Sequence, residues 1–139
     1  MASMDAENWF INESSPVFRA GSSTDTKGIA SAAIVTLNNT LYMFYVGFKQ
    51  WEEVDENNDG VPDYISGRNK SLNLAISTDG GESWTRDANN PLPLSTSGVV
   101  SDVGAQVIGN RIHLWVTDVY SGQSAIGYFL YEPETGTAE

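Results

Sequence analysis

Leu72, Leu74 and Ile76 recur at every second position, the period of a strand with one buried face. Elsewhere the chain shows similar alternation or short runs dense in aromatic and β-branched residues, and no segment holds the period of an amphipathic helix. The pattern predicts first strands at Ile29 to Leu37 and Val99 to Ile108, and second strands at Leu41 to Val46 and Ile112 to Thr117. Third strands follow at Ser71 to Ser77 and Ser124 to Tyr131. Asn38-Asn39, Asp79-Gly80-Gly81 and Gly109-Asn110 supply the residues that tolerate positive φ in tight turns. The predicted class is all-β.

The strands fall into two copies of one pattern. Glu7-Asn8-Trp9 precedes Pro16, and Glu82-Ser83-Trp84 precedes Pro91 with the same Trp-to-Pro spacing. Each copy then crosses a polar Ser/Thr/Gly stretch into its first strand. The chain is read as one domain, 1–139, with repeat 1 over about 7–81, repeat 2 over about 82–131 and a disordered tail over about 132–139. Strands near Trp9 and Trp84 are expected to be the outer strands of four-stranded units.

Ser77-x-Asp79-x-Gly81-x-x-Trp84 resembles the Asp-box of sialidase-like β-propellers, the turn between the third and outermost strands of a blade. The resemblance implies two four-stranded antiparallel propeller-type blades and a structural role for Ser77, Asp79 and Trp84. Two blades leave faces and edges uncovered, so a closed propeller implies a homo-oligomer, three chains first and four second. The N-terminal strand around Trp9 is expected to complete the second blade of a neighbouring copy. The alternative is a β-sandwich closed within a single chain.

Composition narrows the partners. Eighteen acidic against seven basic side chains give a net charge of -11, which opposes nucleic acid and anionic lipid. No apolar run is long enough for a transmembrane helix, and Met1-Ala2-Ser3-Met4-Asp5 lacks the basic and apolar parts of a signal peptide. Zero cysteines exclude disulfides and thiolate metal sites and leave the compartment, secreted or cytoplasmic, open.

A cation suits the chain better. Copy one carries an insertion that copy two lacks, Lys49 to Lys70, containing Asp55-Glu56-Asn57-Asn58-Asp59-Gly60-Val61-Pro62-Asp63. Its spacing resembles the first nine positions of EF-hand, dockerin and thrombospondin type 3 calcium loops. That resemblance implies Ca²⁺ held by Asp55, Asn57, Asp59 and Asp63 side chains and the Val61 carbonyl. Position twelve is Ser66 rather than Glu, so Glu52 or Glu53 is the candidate for the missing oxygen.

For chemistry on sugars, the strand pattern and Asp-box are also similar to sialidases and five-bladed furanosidase-type glycoside hydrolases, whose acids project toward the propeller axis. Asp25, Asp102 and Asp118 are the carboxylates such a reading would use, with Asp102 and Asp118 as the catalytic pair. Trp51, Tyr64 and Tyr120 are candidates for stacking on sugar rings, while Trp9, Trp84 and Trp115 are assigned to packing. His113, the single histidine, sits at an alternate strand position and is read as a packed or surface residue. The leading expectation is a calcium-stabilised, oligomeric, non-catalytic β-propeller module that binds carbohydrate. A small glycoside hydrolase and an interaction scaffold without a small-molecule ligand are the alternatives.

Overall fold

The strands are β1 (Ala2–Ser3), β2 (Trp9–Phe10), β3 (Gly28–Leu37), β4 (Thr40–Val54), β5 (Tyr64–Ser77), β6 (Thr85–Arg86), β7 (Asp102–Ile108), β8 (Arg111–Tyr120), β9 (Gln123–Glu132) and β10 (Thr137–Ala138). They come from a computed structural model that describes residues 2–3, 9–10, 13, 15–94, 97–133 and 137–138. Among the described residues there is no helix, and the class expected from the alternation is the class observed. Sheet one has the order β3-β4-β5-β6 and sheet two β10-β9-β8-β7, with β1 and β2 pairing separately. Neither sheet closes into a barrel.

Local chemistry explains the meanders. Asn38 and Asn39 both take positive φ, 53° and 62°, and close a two-residue turn in which Leu37 pairs with Thr40. Asparagine tolerates that backbone at little cost, and the primed turn it forms matches the twist of the flanking strands. Gly109, at φ 64°, opens the corresponding turn between Ile108 and Arg111. Ser121 and Gly122 do the same between β8 and β9.

Three expectations are corrected. The insertion from Lys49 to Lys70 is mostly strand: β4 runs on to Val54 and β5 starts at Tyr64, paired from Val54↔Tyr64 through Gln50↔Arg68, so only 55–63 forms the connecting loop. The glutamates and Gly67 masked this from the hydrophobic pattern, because a two-stranded extension standing in solvent needs no buried face. In copy two the first strand begins at Asp102; Val99 to Ser101 precede it, with Val100 fully buried and the Ser101 amide donating to the Thr117 carbonyl. The Trp9 segment pairs with Ala2 and Ser3 of its own chain, and the outer place beside β9 is taken by β10 over two residues. Of the tail expected to be disordered, Glu132 lies in β9 and Thr137–Ala138 in β10, whereas 134–136 and 139 lie outside the described residues.

One core joins the sheets. Phe44, Val46, Leu72 and Leu74 of sheet one are fully buried against Ile112, Leu114 and Val116 of sheet two, with Tyr131 edge-on to Phe44 at 5.6 Å. Each such side chain contributes about 1.5–3 kcal/mol on burial. The opposite face of sheet one carries Met43, Tyr45 and Ala75, covered by Phe18, Ile29 and Trp84. Where β6 ends, Asn90 continues the covering of β5, its amide bridging the Leu74 N–H and carbonyl at 2.9 Å each. The Leu92 N–H then donates to the Leu72 carbonyl.

Candidate functional site

The 55–63 loop folds back on its own amides. Asp55 accepts from the N–H groups of Asp59 (3.2 Å) and Gly60 (2.8 Å), Asp59 from Val61 (2.8 Å), and Asp63 from Glu56 (2.9 Å). Asn57 Oδ1 shares the Asp59 N–H at 3.1 Å. Gly60, at φ 86°, makes the bend that a side chain would strain. The donors are hard oxygens, the chemistry of Ca²⁺ rather than of a transition metal. Among the described residues, however, no three His, Cys, Asp or Glu side chains converge closely enough to hold a metal ion. Glu52 is paired with Arg68 on the strand extension, and Ser66 lies within β5.

The carboxylates named for hydrolysis are spread through the fold. Asp102 opens β7 at the exposed edge, accepting from the Ser31 hydroxyl of β3 and from the Val103 N–H. The Ser31 hydroxyl and that amide hold its carboxyl below the usual range. Asp118 is buried and accepts from the Ser97 hydroxyl and the Val119 N–H. Asp102 pairs with Thr117 in the ladder, so strand alternation sets Asp102 and the next residue, Asp118, on opposite faces of sheet two. They do not form the facing pair that acid–base hydrolysis requires.

Asp25 is wholly buried in a polar knot. It accepts from the Gly21 and Ser22 amides (2.9 and 2.7 Å), the Tyr45 hydroxyl (2.9 Å) and Arg86 Nε (3.0 Å). Burial alone would raise its pKa, but the two amides, the Ser22 hydroxyl and Arg86 outweigh it and bring the carboxyl down to about 2. Burial, reinforced by this carboxylate, pushes the Tyr45 phenol up to about 12. Arg86 also lies over the Phe18 ring at 4.3 Å. These contacts fasten the segment before β3 to sheet one, and none of them leaves Asp25 open to a substrate.

Asp79 is occupied in the same way. Its carboxylate accepts from the Ser77 hydroxyl (2.8 Å) and from the amide (2.9 Å) and hydroxyl of Ser83. The Ser83 hydroxyl is the leading cause of its lowered pKa, about 2. Trp84 Nε1 closes the turn on the Gly81 carbonyl at 3.0 Å.

The aromatic candidates are not gathered into one platform. Trp51 is exposed on β4 and stands edge-on to Phe48, whereas Tyr64 begins β5 and donates to Glu56 at 3.0 Å. Trp51 pairs with Gly67 and Tyr64 with Val54, which sets them on opposite faces of the extension. Tyr120 folds down onto Gly127, where a Cβ would collide with its hydroxyl. Trp9 is described in its backbone only. Trp115, assigned to packing, instead stands on the outer face of sheet two beside Tyr128 and His113, with ring centroids at 5.5 and 6.2 Å. His113 Nδ1 and the Tyr128 hydroxyl are 2.6 Å apart. Beside Trp115 a hollow of about 250 Å³ is lined by Asp102, Val103, Gly104, Thr117 and Ile126. Alternation along β8 was visible in the sequence, but which of its two faces meets sheet one was not.

A second hollow, which no sequence pattern marks, lies where β5 meets Pro91, Leu92, Pro93 and Gly98, and Lys49 and Lys70 are among its lining residues. Its residues are scattered along the chain, and no motif announces them.

No family model, curated protein or solved structure matches the chain.

Proposed function

We propose that the protein is an oligomeric, calcium-stabilised β-propeller-type binding module that takes a carbohydrate along the edge where β3 and β7 meet. One observation carries the assembly. Aligning the two-residue turns, Leu37↔Thr40 with Ile108↔Arg111, matches Tyr42, Phe44 and Val46 to His113, Trp115 and Thr117. The first set is the face of sheet one buried against sheet two; the second is the outer face of sheet two, where Ile126 is 69% exposed. The same alignment matches Val103, Ala105 and Val107, packed in the core, to Ala32, Ile34 and Thr36, a stripe on β3 where Ile34 is 52% exposed.

The two open apolar surfaces are therefore repeat images of the two surfaces that bury each other inside the chain. Exposed apolar surface of this kind marks an interaction face. Packing the Trp115 face of one copy on the Ile34 stripe of the next repeats the internal contact head to tail, and three copies give six sheets, four copies eight. This closure works through faces and uses no exchange of the Trp9 strand. Light scattering is expected to give a trimer or tetramer, reduced to monomer by Trp115→Glu; a monomeric parent overturns the assembly.

In this reading the first strands, β3 and β7, border the axis, and the Ser31–Asp102 pair supplies hydroxyl and carboxylate acceptors for sugar hydroxyls. Glycan-array binding that Asp102→Asn weakens is the expected result, and an array without signal removes the ligand. Ca²⁺ belongs to the 55–63 loop, where Asp55, Asn57, Asp59 and Asp63 turn from the loop amides to the ion. The support is the donor chemistry and the crowding of carboxylates there.

A further inference from the structure

Beyond Phe48 the β4–β5 pair leaves its sheet. β3 pairs with β4 no further than Phe48, and β6 pairs with β5 only at Ala75 and Ile76. Among the described residues, the two strands of the extension, 50–54 and 64–68, therefore have no strand on their outer sides. A two-stranded ribbon with nothing packed on it is marginal in water. This one also leaves apolar surface in solvent: Trp51 is 55% exposed and Ile65 59%, with Val61 and Tyr64 exposed close by. A free strand edge beside exposed apolar side chains marks a place where another chain adds.

Strand register gives the extension one face suited to a cation. Trp51 pairs with Gly67 and Glu53 with Ile65, so these four share a face, while Glu52 and Arg68 form their ion pair on the other. Gly67 brings no side chain to the shared face; the Phe48 ring lies where its Cβ would project and stands edge-on to Trp51 at 4.7 Å. Glu53 is exposed and forms no ion pair among the described residues. An indole ring with a carboxylate two positions along the same strand suits a lysine or arginine side chain, because the ring face attracts the cation and the carboxylate pairs with it. Charge decides against a second copy of this chain. Between Lys49 and Arg68 lie six acidic residues and no base, so two such arms repel each other.

We propose that the free edge of residues 50–54 takes an extended basic segment of a partner protein as a third strand, with a lysine or arginine of that segment against the Trp51 ring and the Glu53 carboxylate. The backbone ladder supplies affinity, and the Trp51–Glu53 face supplies the preference for cations. The inference rests on neither the ring of copies nor the sugar-binding edge proposed above.

The test titrates the full chain, labelled with ¹⁵N, with an alternating Lys-Val octapeptide, with its Glu-Val counterpart and with an alternating Lys-Pro octapeptide. The last carries the charge of the first but lacks the amides to pair as a strand. The Lys-Val peptide is expected to shift the amides of 50–54, with an affinity that falls as salt rises. Trp51→Ala and Glu53→Gln should each weaken it about tenfold. Circular dichroism of both variants, expected to be unchanged because both side chains are exposed, keeps a folding defect from imitating that loss. Absence of any shift at 50–54 overturns the proposal, as does equal binding of the Glu-Val or the Lys-Pro peptide. A lower oligomer mass in Trp51→Ala would assign the arm to a second copy and overturn it as well.

Discussion

The Ser31 hydroxyl donates to Asp102 Oδ1, and under the turn alignment of the two repeats these residues occupy the same position. The first strands of the two sheets are thus fastened by the pair that the repeat makes equivalent. The contact is exposed, so its contribution is modest. Ser31→Ala and Asp102→Asn should each cost about 1 kcal/mol or less, and a double-mutant cycle should return a coupling of about 0.5 kcal/mol. Thermal denaturation measures this, and purely additive losses would show that the bond does not join the sheets.

Acid stability should follow Asp25. Its carboxyl titrates near 3.8 in the open chain and at about 2 in the fold, so its stabilisation is complete above about pH 4 and disappears as pH falls toward 2. Chemical denaturation between pH 5 and pH 2 is expected to show this loss, with Asp25→Asn flattening the acid limb. Tyr45 acts at the other end: raised from 10 to about 12, its phenol contributes stability below pH 10 that fades as pH climbs toward 12.

Arg86 is what makes the buried carboxylate tolerable. Arg86→Met leaves Asp25 charged and without its cation in a site closed to water, at a cost of about 3 kcal/mol. The double change Arg86→Met with Asp25→Asn should recover part of that loss. If the double variant is no more stable than Arg86→Met alone, the guanidinium matters through its packing on Phe18 and not through charge.

Two glycines in strand surroundings should respond in opposite ways. A Cβ on Gly47 would stand 2.7 Å from Asp25 Cβ and 3.0 Å from the Thr24 carbonyl oxygen, so Gly47→Ala must push the 24–25 segment off β4. The expected cost is about 1–3 kcal/mol. Gly104→Ala meets nothing within 4 Å and should leave the melting temperature unchanged.

Calcium is expected to raise the melting temperature of the metal-stripped protein, because an ion bound to the folded form alone stabilises it by mass action. Asp55→Ala and Asp59→Ala should each abolish the rise. Calorimetric titration without heat at millimolar Ca²⁺ removes the ion from the proposed function.

What the residues alone determined was local: alternation and β-branched runs located β3 and β9 to within one residue at each end and the first part of β8, and Asn38-Asn39 located the turn whose two φ values require such residues. The repeat in sequence likewise carried through to two sheets of matching strand order. Tertiary structure decided everything that depends on which of two faces meets a neighbour. Period two marks that Leu114 and Trp115 point opposite ways, but only the packing of Phe44, Leu72 and Leu74 selects Leu114 for the core and leaves Trp115 outside. Asp25 and Arg86 meet, and Lys49 and Lys70 come to one hollow with Pro91, because backbone hydrogen bonds tie distant segments together. Such long-range closure leaves no periodic trace, since each partner taken alone is an ordinary polar residue in a turn or at a strand end.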